Sequence, residues 1–351
     1  MEVKLTPTQE ATPVSLMFVE RMHKKGWLEQ RVGPEWYRLI HGVVTNPLSV
    51  TGLVITALFL LIAAFSPQLA PPLKVANNAY LIPRDGYATE PKPPGTIWKR
   101  EPPPAPGWYT ALTGKTQWIH LLGTTSGQWD IYYGIVWGTR TALFVGVVIT
   151  ALTVLIGLII GAISAYYGGW LDDALMRITE IFLAFPFLLA ALTLSAILVP
   201  LFGRGIWPGT IALVAFGWMI YARLLRGEIL SAKERDYVMA ARVVGARDSR
   251  IILRHIVPNA IYPILILASM SIGDYVLEFA TLSFLGVGTE IGYADWGQIV
   301  SFSRDWILSL DVHWYIIVYP GVILLMFGLG WNLIGDALRD ILDPRLRRGN
   351  E

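Results

Sequence analysis

Cysteine is absent from the 351-residue chain. Its absence excludes disulfides, thiolate metal sites and thiol nucleophiles together. Charge is scarce as well: Asp, Glu, Lys and Arg make up 15% of the residues, against about 25% in a soluble domain. The formal net charge of +2 is too small to suggest nucleic acid as a partner. The first ~45 residues are polar or mixed, so no cleavable signal peptide is expected and the first spanning helix should be kept as an anchor.

Signatures of chemistry are missing too. Gly114-Lys115-Thr116 ends like a phosphate loop, but Tyr109 stands where that motif needs a glycine. The five histidines are scattered, with no HExxH pair and no metal-ligand spacing to a carboxylate. No GxSxG nucleophile elbow occurs. The sequence therefore assigns no catalytic residue, no metal site and no cofactor to this chain.

What is abundant is apolar sequence, 54% of the residues, with a mean hydropathy of +0.50. A core alone does not need so much, whereas a lipid-facing surface does. The 14 tryptophans and 15 tyrosines suit interfacial belts. A bilayer core of ~30 Å takes about 20 apolar residues of helix. Six stretches free of acidic and basic residues are long enough: 39–73, 141–171, 181–203, 205–222, 255–273 and 312–335. A mid-bilayer charge costs roughly 2.5–3.5 kcal/mol on insertion scales, so such gaps carry information. Gly157 and Gly161 form one GxxxG inside the second span, a weak signal for close helix packing. Pro186 is expected to kink the third.

Basic residues set the direction. Arg21, Lys24, Lys25, Arg31 and Arg38 precede the first span; Arg223, Arg226, Lys233, Arg235, Arg242, Arg247, Arg250 and Arg254 follow the fourth; Arg339, Arg345, Arg347 and Arg348 follow the sixth. That side is expected to be cytoplasmic, with both termini inside. The chain then divides into a cytoplasmic segment 1–47, a first span 48–66, an extracytoplasmic proline-rich loop 67–138, a five-helix core 139–340 with a cytoplasmic loop 223–254, and a tail 341–351. Residues 17–40 read either as an amphipathic helix on the inner surface or as solvated chain. The outer loop holds half of the 22 prolines, which rules out regular helix or central strand. It reads as solvated and extended, or as an ordered cap that meets an external partner. A second outer segment, 284–311, carries Trp296 and Trp306.

Within the loop 223–254, Tyr237, Ala240, Ala241 and Val244 recur at helical spacing and should share one face. Gly245 fits the left-handed residue that closes a helix. In the fifth span Asp274 and Glu278 stand one turn apart, either lining a path for a cationic substrate group or pairing with another helix. Arg177 and Glu180 should pair at i, i+3, and Asp336, Arg339 and Asp340 should form a charge network at the inner surface.

The run Asp236 to Asn259, DYVMAARVVGARDSRIILRHIVPN, resembles the EAA loop of permease subunits of binding-protein-dependent ABC importers, most closely the dipeptide/oligopeptide branch. MRITEIFLAFPFL from Met176, Leu282–Val287 with Trp296-Gly297, and the stretch Tyr319–Arg347 resemble other parts of the same branch in the same order. The chain departs from that pattern at Met239, where the loop's glutamate is usual, and at Gly123–Asp130, which matches only in part; Glu278 lies one residue early. The resemblance implies an all-α polytopic membrane protein of six transmembrane helices with the type I ABC importer permease fold. It implies that Tyr237, Ala240, Ala241 and Gly245 form a coupling helix and that Pro258 marks the return to the membrane. It also implies a heterodimer with a second permease, two ATP-binding subunits that carry the ATP and Mg, and an extracytoplasmic substrate-binding protein. Peptides are the implied substrate, with oligosaccharides or nickel as alternatives. A passive channel would need no docking loop, and a membrane-embedded enzyme would need more than the isolated pair Asp274 and Glu278.

Overall fold

The computed structural model describes residues 46–72, 78–100 and 102–342. The basic segment before Asn46, the amphipathic stretch 17–40, and Pro344, Arg345, Arg347 and Arg348 lie outside the described residues. Nearly all the regular structure is helical. The first helix, α1, runs Pro47–Ala64; Asn46 caps it by accepting from the Leu48 amide at 3.0 Å, and Pro47 supplies the preset first turn.

The second helix, α2, runs Ile131–Tyr167, starting ten residues before its charge-free stretch. Asp130 caps its N-terminus, accepting from the Tyr133 amide at 2.9 Å. Arg140 is tolerated inside it because its Nε donates to the Ala63 carbonyl at 2.6 Å, at the negative end of α1. The charge that ended the sequence-based span is thus spent on the neighbouring helix. Tyr132 and Trp137 donate to the carbonyls of Leu69 and Ala70, both at 2.9 Å, and tie down the chain that leaves α1.

The third span is not one helix. Gly168 and Gly169, both at positive φ, turn the chain into α3, Gly169–Leu183; α4 follows at Phe187–Phe202, bent by 86°. Pro186 lacks an amide hydrogen and disfavours helical backbone in the residue before it, so the break falls where the sequence expects the kink. The remaining long helices are α5, Ile206–Lys233; α7, Tyr262–Phe284; and α9, Tyr315–Leu342, with short helices α6, Asp236–Val243, and α8, Trp296–Ser301, between them. Five of these elements are long and apolar enough to cross a bilayer, and the bent pair α3–α4, counted as one broken span, brings the number to six.

A close seam runs between α2 and α5. A Cβ on Gly157 would strike the Tyr221 Cβ, and one on Gly161 would lie 2.6 Å from the Ala222 carbonyl oxygen. The GxxxG therefore marks a true helix–helix contact. On the other side α9 packs between α1 and α7, where a Cβ on Gly52 would lie 2.6 Å from Leu333 Cβ and one on Gly273 would lie 3.0 Å from Gly328 Cα.

The proline-rich segment is folded, so the reading of it as a solvated extended loop does not hold for its described residues. Thr96–Ile97 pairs antiparallel with Ile119–His120. His120, fully buried, places Nδ1 2.6 Å from Asp130 Oδ2 and Nε2 3.2 Å from Asp85 Oδ2. Asp85 also bonds the Lys92 ammonium and accepts from the Arg100 amide at 2.6 Å. The prolines forbid a regular ladder, so buried side-chain bonds hold the segment together. Trp98, Tyr109 and Trp118 pack beneath it in one core with Tyr133 and Trp137. Gly114, read from Gly114-Lys115-Thr116, is the left-handed C-cap of a short helix Gly107–Thr113. In 284–311, Trp296 is buried and donates to the Ile135 carbonyl at 3.1 Å. A Cβ on Gly297 would collide with Ala280, which fits α8 tightly against α7.

Candidate functional site: the basic loop and the cavity beside the broken span

The loop at the basic end is built around α6. Val238 is fully buried and Ala241 nearly so; with Leu225, Ile229, Ile251 and Ile256 they form one apolar cluster. The opposite face is bare. Val243 is 87% exposed and Val244 81%, and Tyr237, Met239 and Ala240 are exposed beside them. The expected face of Tyr237, Ala240, Ala241 and Val244 is therefore split. Ala241 turns inward as the partner of Val238 at i, i+3, and Val243 takes its place outside. Placing Ala241 on that face was wrong because apolar residues occur on both sides of the helix, and periodicity does not say which side faces the bundle.

The C-terminus of α6 closes as the sequence predicts. Gly245 has φ +74°; its amide donates to the Arg242 carbonyl at 2.9 Å, and the Ala246 amide donates to the Ala241 carbonyl at 3.1 Å. These two bonds are the Schellman pattern, which only a left-handed residue permits without strain. Beyond it the chain widens into a π turn, Ile252–Ile256, and Pro258 sits in the next short helix, Val257–Ala260, which leads into α7. Pro258 cannot donate to the Arg254 carbonyl, so the regular ladder gives way there.

A polar network fastens the loop to the end of α2. The buried Tyr166 donates its hydroxyl to Asp248 Oδ1 at 2.5 Å, and Arg242 lies 5.6 Å above the Tyr166 ring. Lys233 donates to the carbonyls of Ala165 (3.2 Å) and Tyr166 (2.6 Å), where a cation suits the helix C-terminus. Arg226 holds Asp172 with two bonds, Nε to Oδ1 at 2.7 Å and Nη2 to Oδ2 at 2.6 Å, and Ser164 bonds the same carboxylate. Apart from Ser164 and Asp172, which are 8 residues apart, these partners lie 54 to 82 residues apart in sequence, so no local pattern could have announced them. Two other expected pairings divide. Arg177 and Glu180 stand 3.8 Å apart, both largely exposed. Asp336, Arg339 and Asp340 form no ion pair among the described residues; Asp340 instead faces the Asn46 amide nitrogen at 3.5 Å.

Asp274 and Glu278 lie midway along α7 and open onto a cavity of ≈ 430 Å³. The cavity sits against the α3–α4 break: Phe182, Leu183, Phe185 and Phe187 form one wall, and Phe216 and Tyr221 of α5 another. Neither carboxylate has an ion-pair partner among the described residues. The acidic pair is thus brought to the bend, a juxtaposition the sequence did not reveal. No group of three or more His, Asp or Glu with metal-ligand geometry occurs among the described residues.

The family model described as "Binding-protein-dependent transport system inner membrane component" matches residues 153–348, which take in α3 to α9 and the loop. The chain is 33% identical over 312 residues to the dipeptide transport system permease protein DppC of Alkalihalophilus pseudofirmus, covering 89% of this chain and 90% of that one. It is 32% identical over 304 residues to the oligopeptide transport system permease protein OppC of Bacillus subtilis, covering 87% and 88%. With a putative peptide transport system permease protein of Brucella suis it shares 41% over 228 residues, covering 65% and 74%. The chain belongs to the binding-protein-dependent transport system inner membrane component family: it is a multi-pass permease subunit of an ABC importer, a transport component and not an enzyme.

Proposed function

We propose that this chain forms half of the translocation pore of an ATP-driven peptide importer. It pairs with a second, related permease. Two ATP-binding subunits sit on the cytoplasmic side, one of them docked on α6, and a substrate-binding protein docks outside on the cap formed by the described residues of 78–130. The names of the relatives support peptides ahead of oligosaccharides or nickel. The eight basic residues between Arg223 and Arg254 support a cytoplasmic position for the loop. Both termini then lie inside. ATP-driven closure of the motor would push α6 and bias the spans between two discrete states, the form that coupling between distant sites takes.

The observation that carries this reading is the bare apolar face of α6. Its inward side is fully packed and its C-cap is satisfied, yet Val243 and Val244 are presented to the surface. Removing two such valines from water would stabilise a contact by roughly 1.5–3 kcal/mol each. The test is co-purification of the ATP-binding subunits with variants Val243→Asp and Val244→Asp. Both should fold and both should lose the ATPase. Ala241→Asp makes a poor test, because Ala241 supports the loop itself. Retention of ATPase binding and of uptake in both valine variants would sink the assignment.

A further inference from the structure

The cavity beside the α3–α4 break carries chemistry that a passive conduit would lack. Asp274 and Glu278 project into it from the middle of α7. Tyr221 lines it while being 1% exposed, and its hydroxyl has no hydrogen-bond partner. The buried Oε2 of Glu278 is likewise unpartnered. Buried polar atoms are costly to leave unmatched, so two around one cavity point to a donor from outside the chain. No Lys or Arg is among the lining residues. The surroundings favour a cation. Phe182, Phe185, Phe187 and Phe216 line the cavity, and aromatic rings attract cations. The last turn of α3, Phe182 and Leu183, forms part of the wall, so the negative end of that helix dipole lies there. Broken membrane helices with a free terminus at a cavity are a recurrent way to hold a charged solute away from water.

We propose that this cavity is a cation subsite that receives the N-terminal ammonium of a peptide in transit. Glu278 and Asp274 accept its N–H bonds, the Tyr221 hydroxyl oxygen accepts the third, and the phenylalanines hold the first apolar side chain. The proposal rests on the peptide-importer reading and adds to it a point of contact inside the membrane. It also explains why the acidic pair stands at the bend, where a tilt of α3 against α4 would change the cavity's volume and release what it holds.

The test uses the assembled transporter with its partner subunits, and a hydrophobic carbodiimide that labels membrane carboxyl groups, read at Glu278 by mass spectrometry. Tri-leucine should slow the labelling about tenfold, as expected for loss of access to a group in a charged hydrogen bond. N-acetyl-tri-leucine should leave it unchanged. Equal slowing by both peptides, or by neither, overturns the proposal. So does labelling that is slow in the complex, rises when the second permease is removed and ignores peptide, because Glu278 would then pair with a cation of that partner. In proteoliposomes Glu278→Gln should lower the ratio of free to acetylated peptide uptake about tenfold relative to wild type. Both proteins use the same receptor, so its own preference cancels. Uptake of tri-leucine by wild type is scored separately: uptake without protection sinks the subsite alone, whereas no uptake sinks the importer reading and the subsite together.

Discussion

Tyr166→Phe removes one atom from the network that fastens the basic loop to α2. The lost bond, 2.5 Å from the hydroxyl to Asp248 Oδ1, has a carboxylate as acceptor. Bonds of that kind contribute about 1.5–3 kcal/mol. Asp248 is exposed and regains water when the bond is lost, which places the net effect nearer ~1–1.5 kcal/mol. The ring stays, so the packing of Tyr166 and its contact with Arg242 at 5.6 Å are kept. The effect should therefore be local. Opening of the loop should become about 5–12-fold more frequent at ~1.4 kcal/mol per factor of ten. Hydrogen exchange on the detergent-solubilised protein reads this directly: amides of residues 236–251 should exchange faster by that factor, while those in the middle of α2 and α5 keep their rates. Asp248→Asn should give a smaller effect in the same region, since an amide oxygen can still accept. Unchanged exchange in the loop would refute the tether, and acceleration spread evenly over α2 and α5 would refute its locality.

Arg226→Ala strips two charged bonds from Asp172, whose side chain is 13% exposed, and should destabilise the protein by ~2–4 kcal/mol, read as a lower unfolding temperature in detergent. Gly161→Val puts a branched side chain where a Cβ already lies 2.6 Å from the Ala222 carbonyl oxygen; a loss of at least ~3 kcal/mol or failure to accumulate in the membrane is expected, while Gly227→Ala, which meets open space, should be tolerated. Burial pulls the Asp85 carboxyl upward, but Lys92, the amides of Lys99 and Arg100, and His120 outweigh it and hold its pKa below the usual 3.8. A depressed native pKa means that the folded cap binds fewer protons, so the stability from Asp85 is complete above about pH 5 and fades as pH falls below 3.8. Tryptophan fluorescence of the cap should show the advantage of wild type over Asp85→Asn shrinking in that range; an advantage that grows with acid would reverse the sign of the argument.

Much of the membrane architecture could be read from the residues, and the failures have physical causes. Charge-free length finds a span only where charges stay out of the helix. Arg140 broke that rule for α2 because the end of α1 satisfies it. Pro186 announced a bend, but its 86° depends on how α3 lies against the bundle. The left-handed Gly245 was legible, since its backbone requirement is local. The orientation of α6 was not, because Val238 and Ala241 repeat at the same spacing as the residues on the other face. The order within the proline-rich segment was hidden most deeply. It rests on Asp85, His120 and Asp130, which are 35 and 10 residues apart and have no motif to join them. Asp274 and Glu278 were found by their rarity, while the cavity in front of them comes from the bend and could not be foreseen.

The glycine seam between α2 and α5 has a mechanical consequence. At Gly157 and Gly161 the two backbones are so close that neither can slide past the other without first separating, and close-packed interiors resist that. The pair is built as one girder, with the cap's Asp130 at one end and the Tyr166 fastening at the other. A shove delivered to α6 is therefore not absorbed along this length. On the proposed coupling, the movement is left to the breaks in the helical ladder, the largest of which is the 86° elbow between α3 and α4, so an open and a shut gate would differ chiefly in one angle.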